Sequence, residues 1–304
     1  MVPPLASAPD QGIPLPPPRL RQKVAGRDNA EWFVKSGELS LADLSRALAA
    51  IGRSLDDFND VLDWGCGCGR MLRHLPPPRA PRRIHGFDVD REAIAWINEK
   101  LPWVQTSCND GMPPLPYADA TFDLIFNHSV MTHLDAAYQD TWLAELRRLL
   151  RPGGIATLTV HGRNAFNLNM AATPPKTRDA SAAQLRADGI LFIDNVQPKG
   201  DFPAFYQVSY NDVPYVFDRW GRFLDVRCYI PRGALEFQDL IVLQRPAQDA
   251  APSSAQESRS HEPWSYESWC RDNDAAAFFG FGSRTLGRGW RWIRNRLRPR
   301  RAKK

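Results

Sequence analysis

Asp63, three glycines spaced two residues apart, and a second acid at position 88 are the residues whose types and spacing point most directly to chemistry. They begin in Val61-Leu62-Asp63-Trp64-Gly65-Cys66-Gly67-Cys68-Gly69-Arg70, where an acid follows a short apolar run. The run reads as the end of a buried parallel strand, and Gly65, Gly67 and Gly69 read as a tight strand-to-helix turn. Such a turn lets the backbone approach a ligand, with the following amides facing whatever is bound. Asp88 lies 23 residues after Gly65, close to the roughly 20-residue offset of an acid that accepts hydrogen bonds from ribose hydroxyls. A dinucleotide loop would place its third glycine where this chain has Arg70, so the expected ligand is a nucleotide-type cofactor other than a pyrophosphate.

Three histidines supply candidate bases. His128 directly follows the fourth apolar strand, His133 lies five residues on, and His161 closes the fifth strand. In open α/β sheets, ligands bind outside the carboxyl ends of the strands where the strand order reverses, so all three map near the reacting end. An oxygen nucleophile needs a base there, and His128 ranks first by position. Each histidine also fits a structural role satisfying backbone groups.

The elements that position these residues follow in order. Ser40 reads as the cap of a helix through Leu41, Leu44, Leu48 and Ile51, either a lid over the pocket or a helix packed on the sheet. Met71 to Leu75 continues a helix that Pro76-Pro77-Pro78 stops. Arg82 to Asp88 is a second strand, and Asp90 caps the helix after it. Trp103 to Cys108 is a third strand and Phe122 to Asn127 a fourth. Asp135 caps a helix with Tyr138, Trp142, Leu143 and Leu146 on its buried face, and Ile155 to His161 is a fifth strand. Periodicity weakens over 162–215, apart from a helix near 180–187. Asp212 and Pro214 then open a helix through Trp220, and two strands close the domain at 224–230 and 238–243.

The Asp-x-Gly-x-Gly-x-Gly loop, Asp88, and the Leu-Arg-Pro-Gly-Gly run at 150–154 occur in the order found in class I S-adenosylmethionine-dependent methyltransferases, and the chain resembles that family over about 55–245. The resemblance implies a Rossmann-like α/β fold: a mostly parallel seven-stranded sheet, helices on both faces and a C-terminal antiparallel hairpin. It implies S-adenosyl-L-methionine as cofactor, held by Asp63, Gly65, Cys66, Gly67 and Gly69 at the methionine end and Asp88 with Val89 at the ribose. Asp110 or Asn109 would hold the adenine amino group, with Gly111 and Met112 against the ring, and Asn127 and His128 would face the methyl group. The acceptor pocket falls in the 162–215 insertion, with Phe202, Phe205, Tyr206 and Tyr210 as candidate linings. Asn127 is followed by His128 and Ser129, not by a Pro-Pro-Tyr or Pro-Cys run, so neither adenine or glutamine amino groups nor cytosine C5 are the expected acceptor. The overall segment pattern resembles bacterial glycan and small-molecule methyltransferases, which implies an oxygen of a sugar, glycan precursor or related small metabolite.

The 304 residues are 43% hydrophobic, enough for one sizeable domain with extensions. The Pro-rich start over 1–38 reads as a partly disordered extension without signal-peptide character. Five cysteines give no disulfide framework or metal spacing, and a cytoplasmic location is expected. The formal net charge of +5 arises mostly at the end of the chain. A flexible linker over 246–264 leads to a basic amphipathic tail over 265–304, whose arginines at 284–304 suit an anionic membrane surface better than nucleic acid. That composition also fits a solvated tail. The alternative readings of the chain are a membrane- or RNA-associated methyltransferase directed by this tail, or a module that keeps the cofactor pocket without catalysis.

Overall fold

All five residues of β1 (Asp60–Trp64) are buried, with Leu62 and Trp64 in the core on one face and Val61 in the core on the other. A strand covered on both sides needs apolar residues at both parities, which is why the sequence here is a run and not an alternation. The computed structural model describes residues 12–79, 82–194, 196 and 203–247. Ahead of β1 lie α1 (Pro18–Ala25) and α2 (Ala30–Ala49); after it come β2 (Arg83–Phe87), α3 (Arg91–Lys100), β3 (Val104–Ser107) and β4 (Phe122–Phe126). Then follow α4 (Ala136–Leu149), β5 (Leu150–Val160), α5 (Arg163–Asn169), α6 (Pro175–Asp188), β6 (Ile190–Ile193) and β7 (Val208–Asn211). The short helix α7 (Val213–Tyr215) runs into a π turn over Val216–Trp220 before β8 (Asp225–Ala234) and β9 (Gln238–Gln244).

Seven strands form one sheet in the order β3-β2-β1-β4-β5-β9-β8, parallel except that β9 runs antiparallel to both β5 and β8. This is the Rossmann-like architecture with a closing hairpin that the family resemblance implied. The strand order reverses between β1 and β4, which opens a crevice at their carboxyl ends. Helices cover both faces. Trp142 and Leu146 of α4 share one core with Ile125, Leu158 and Ile241, while Leu44 of α2 and Ile97 of α3 share the other with Val61, Leu124 and Val242. Trp64 and Trp142 meet with ring centroids 4.8 Å apart. Each large buried side chain contributes about 1.5–3 kcal/mol, so this pair fixes α4 beneath the crevice.

Local chemistry sets the element ends. Asp90 Oδ1 accepts from the Glu92 and Ala93 amides, and Asp135 Oδ1 accepts from the Tyr138 amide at 2.9 Å, so both acids cap the helices expected of them. The first long helix departs from expectation. It starts at Ala30, where Asn29 Oδ1 accepts from the Trp32 amide at 2.7 Å, and Ser40 is interior, its hydroxyl donating to the Ser36 carbonyl. Gly37, inside this helix, is needed for packing: a Cβ there would lie 2.0 Å from the Arg70 carbonyl oxygen. The helix expected after the glycine turn is a single 3-10 turn, Leu72–His74. The Leu-Arg-Pro-Gly-Gly run lies inside β5, where pairing with β4 shifts register between Phe122 and Leu124. In the insertion, β6 and β7 form a separate antiparallel ribbon, and β7 takes up the end of the 202–210 stretch that reads as a short strand or an extended loop.

Residues 1–11 and 248–304, and with them nearly all the expected linker and the basic tail, lie outside the described residues, as does Phe202. Among the described residues no helix is long and apolar enough to cross a membrane.

Candidate cofactor and acceptor site

The crevice at the ends of β1, β2 and β4 opens into a cavity of about 1930 Å³. Pockets that hold one drug-sized ligand measure roughly 300–1,000 Å³, so this one has room for a cofactor and an acceptor together. Asp63, Gly65, Cys66, Gly67, Asp88, Val89, Gly111 and all three histidines line it.

Gly65 and Gly67 turn with φ of +83° and +53°, a region closed to most residues with a Cβ. A Cβ on Gly65 would lie 2.3 Å from Val130 Cγ2, and one on Gly67 would lie 2.5 Å from Val24 Cγ2. The loop is therefore a cradle that side chains from α1 and from the segment after β4 close upon. Gly65→Ala combines backbone strain with this clash and is expected to cost about 1–3 kcal/mol, visible as a lower Tm in thermal unfolding. Gly69 lies away from the cavity, where a Cβ would meet Leu101 Cδ1 at 2.8 Å. Cys66 and Cys68 are buried, and burial pushes both thiols up, Cys68 to about 12. Both are neutral packing groups at physiological pH.

Two acids stand at the end of the cavity where the cofactor is expected. Asp88 Oδ2 accepts from the Gly67 amide at 2.7 Å and Oδ1 from the Asp90 amide at 2.9 Å, so the β2 acid braces the β1 glycine loop while lining the cavity. Asp63 is 2% exposed, and no described residue donates a hydrogen bond to its side-chain carboxyl. Burial pushes its pKa up to about 8, with Asp88 adding to the rise and the Arg70 charge opposing it. Arg70 is itself buried, donates to Ser40 Oγ at 3.1 Å, and is pulled down to about 10 by burial. The sequence reading registered Arg70 only as a missing glycine.

α1 closes this end. Leu20 packs with Phe33, Cys68 and Ala93, and Lys23 Nζ meets Asp90 Oδ2 at 2.6 Å with both groups mostly buried. Val24 reaches Gly67. The covering element is thus α1, while α2, read as either a lid or a helix packed on the sheet, takes the second role with Leu44 and Leu48 in the core.

The loop expected at the adenine is differently arranged. Asn109 folds onto its own turn, accepting from the Gly111 amide and donating to the Met112 carbonyl. Asp110 is exposed and pairs with Arg91 at 3.4 Å, and Met112 is 45% exposed. None of the three lines the cavity; Gly111 does, beside Val89 and Phe205. Asn127 is buried off the cavity, its Oδ1 accepting from the Thr159 amide at 3.2 Å.

The far end holds the acceptor-side groups. His133 Nδ1 donates to the Gln207 carbonyl at 2.5 Å, and His161 Nδ1 donates to the Ser209 carbonyl at 3.2 Å, so alternate residues on and beside β7 hold both rings. A carbonyl accepts only, which places the proton on Nδ1 and leaves Nε2 with the lone pair. Burial lowers His133 to about 4 and His161 to about 3, and pulls His128 well below its ordinary value. All three are neutral near pH 7. Tyr206 stacks on His133 at 3.9 Å, and Tyr210 and Phe237 flank His161. Of the expected linings, Phe205, Tyr206 and Tyr210 line the cavity. Tyr206 is among the candidate linings, but the 73 positions between it and His133 hide the ring it covers.

Comparison with known proteins places these features in a wider group. Residues 61–154 match a family model described as a methyltransferase domain. A probable S-adenosylmethionine-dependent methyltransferase of Mycolicibacterium smegmatis is 28% identical over 180 residues, covering 58% of this chain and 65% of that protein. Trans-aconitate 2-methyltransferase of Azoarcus sp. is 36% identical over 108 residues, covering 34% of this chain and 40% of that protein. Malonyl-[acyl-carrier protein] O-methyltransferase of Hahella chejuensis is 30% identical over 118 residues, covering 37% and 40% respectively. The chain thus spans less than two thirds of each of these relatives.

Proposed function

We infer that the chain belongs to the class I S-adenosylmethionine-dependent methyltransferases and that it transfers a methyl group from S-adenosylmethionine to a hydroxyl oxygen of a small acceptor. The observation that carries the cofactor half is Asp63. A buried carboxylate without a hydrogen bond, beside a glycine cradle, is costly unless a cation joins it. The ammonium of the methionine moiety is such a cation. Asp63 and the Gly65–Gly67 loop would hold that end, and Asp88 would accept from the ribose hydroxyls with the lone pairs that its two amide donors leave available.

When bound, the cofactor supplies a methyl group on a sulfonium, a leaving group that needs no help from the protein. The chain's part is to align the acceptor oxygen behind that methyl, where orientation can contribute up to roughly 7–11 kcal/mol, and to take the hydroxyl proton. We assign that proton to His161 Nε2. His161 is 7% exposed at the end of β5 and has its tautomer fixed by the Ser209 carbonyl, whereas His133 lies under the Tyr206 ring as part of the wall. A base as weak as His161 takes the proton late, from an oxygen already bonding to carbon.

The relatives are named for acceptors as unlike as trans-aconitate and malonyl-[acyl-carrier protein], so the acceptor is read from this chain's own site. Neutral histidines and aromatic rings support an uncharged hydroxyl compound such as a sugar or glycan precursor. Incubation with S-adenosylmethionine and a panel of sugars, phenols and carboxylic acids, followed by assay of S-adenosylhomocysteine, tests this. Product with sugars or phenols is expected, and turnover confined to carboxylic acids would overturn the uncharged-hydroxyl assignment.

A further inference from the structure

Gln139 of α4 and Asn211 of β7 are fully buried, 72 positions apart in the chain, and joined side chain to side chain. Asn211 Nδ2 donates to Gln139 Oε1 at 3.1 Å, and Gln139 Nε2 donates back to Asn211 Oδ1 at 3.3 Å. The same Nε2 reaches the Met131 carbonyl at 3.2 Å and the Leu134 carbonyl at 3.1 Å. Trp220 Nε1 donates to Gln139 Oε1 at 3.1 Å. Carbonyls only accept and the indole only donates, so the orientation of the Gln139 amide is dictated from both sides. Neither amide lines the cavity. Replacing both partners of a buried hydrogen bond by apolar groups of the same shape is nearly neutral for stability, so stability alone does not account for the pair.

What the pair holds is β7. This strand belongs to a ribbon apart from the main sheet, and a two-stranded ribbon is marginal in water without packing against something else. A slip of one residue along a strand turns every group to the opposite side. Here the anchoring groups fall on alternate residues. The Gln207 amide donates to the His133 carbonyl at 3.0 Å, and the Gln207 carbonyl accepts from the His133 ring. The Ser209 carbonyl accepts from the His161 ring at 3.2 Å, while its hydroxyl donates to the Met131 carbonyl at 2.9 Å. The Asn211 amide donates to the His161 carbonyl at 2.9 Å. Gln139 and Ser209 thus share one acceptor, the Met131 carbonyl, and the amide pair meets the ring-holding stretch there. Fixing register is the best-attested use of buried polar groups.

We propose that Gln139 and Asn211 are positioning residues, whose amide pair sets the register of β7 and so holds His133 and His161 in the Nδ1–H tautomer. The Nε2 lone pair of each ring is then the one that can take a proton. Without the pair, β7 shifts and its carbonyls leave the rings. Neither side chain touches a reacting atom, yet a displacement of about 1 Å can cost roughly 10²-fold in rate.

The catalytic consequence rests on the methyl-transfer reading, and the experiment separates the two. Full-length protein carrying nitrogen-15-labelled histidine is studied by long-range proton–nitrogen correlation at neutral pH. His133→Gln and His161→Gln identify the two rings. In the unmodified protein both should show the neutral Nδ1–H pattern. Gln139→Met, which keeps the volume and removes every bond, should replace part of the His161 Nδ1–H signal by the Nε2–H form. The milder Asn211→Ser should do the same. Trp220→Phe removes a single donor and should shift His161 in the same direction by less, which keeps the test open if the stronger variants do not fold. Asp140→Asn breaks the 2.6 Å ion pair with Arg219 that joins α4 to the same π turn, and should lower Tm without moving either tautomer. S-adenosylhomocysteine affinity by calorimetry should be the same throughout. Failure of the unmodified protein to bind it overturns the methyl-transfer reading and leaves the tautomers to decide the positioning role. An Nε2–H tautomer at His161 in the unmodified protein, unchanged His161 signals in the folded variants, or an equal change in Asp140→Asn would overturn the proposal and leave methyl transfer standing.

Discussion

Asp63→Asn should move cofactor affinity and stability in opposite directions. Removing one partner of a buried charge pair costs about 2–5 kcal/mol, so S-adenosylmethionine binding should weaken by roughly 30-fold to several thousand-fold. The empty protein should become more stable. The Asp63 carboxyl is raised from 3.8 to about 8, so the folded state holds a proton that the unfolded chain gives up. Stability linked to this group is present below about pH 4 and is lost as pH rises through about 8. Asparagine has no such dependence. A gain of about 2 kcal/mol near pH 8, equivalent to ~4–8 °C in Tm, should shrink toward zero near pH 4. Calorimetric titration and thermal unfolding of both proteins check the two halves. A variant that loses both affinity and stability would show that Asp63 holds the fold and not the cofactor.

His161→Gln is expected to lower kcat by about 10²–10⁴, the usual contribution of a positioned base, with little change in S-adenosylmethionine affinity. His133→Gln should act more mildly, because its ring packs against Tyr206. The pH profile carries a second signature. Burial lowers His161 to about 3 and His133 to about 4, so with cofactor saturating, kcat should stay level from pH 8 to about 5.5. Stability should not stay level. Both groups have folded values below the ordinary 6.5, so protons bind the unfolded chain first and stability falls as pH drops from 6.5 toward 4. A kcat that declines with a midpoint near 6.5 would assign the proton to a group outside this buried pair.

Much of this site is visible in the sequence because local chemistry and tertiary role coincide there. The Val-Leu-Asp and Gly-Phe-Asp strand ends are apolar runs closed by acids, and Asp90 and Asp135 are caps whose partners lie within three residues. What the sequence hides depends on distant partners. Gly37 is a close crossing point for the Arg70 carbonyl, and α2 begins ten residues before Ser40. Arg70 carries no motif, but it is the buried cation that opposes Asp63. Asp110, the expected adenine ligand, points outward to Arg91 because Asn109 closes the turn on itself.

The account turns on Asp63 as the seat of the methyl donor, and proton release on binding tests that most directly. S-adenosylmethionine is titrated into the protein at pH 7 in two buffers of different ionisation enthalpy. With Asp63 near 8 before binding and ionised afterwards, roughly one proton should leave per cofactor bound, and affinity should weaken about tenfold per pH unit below 8. Binding with no proton released, or an affinity unchanged between pH 6 and 8, would contradict it.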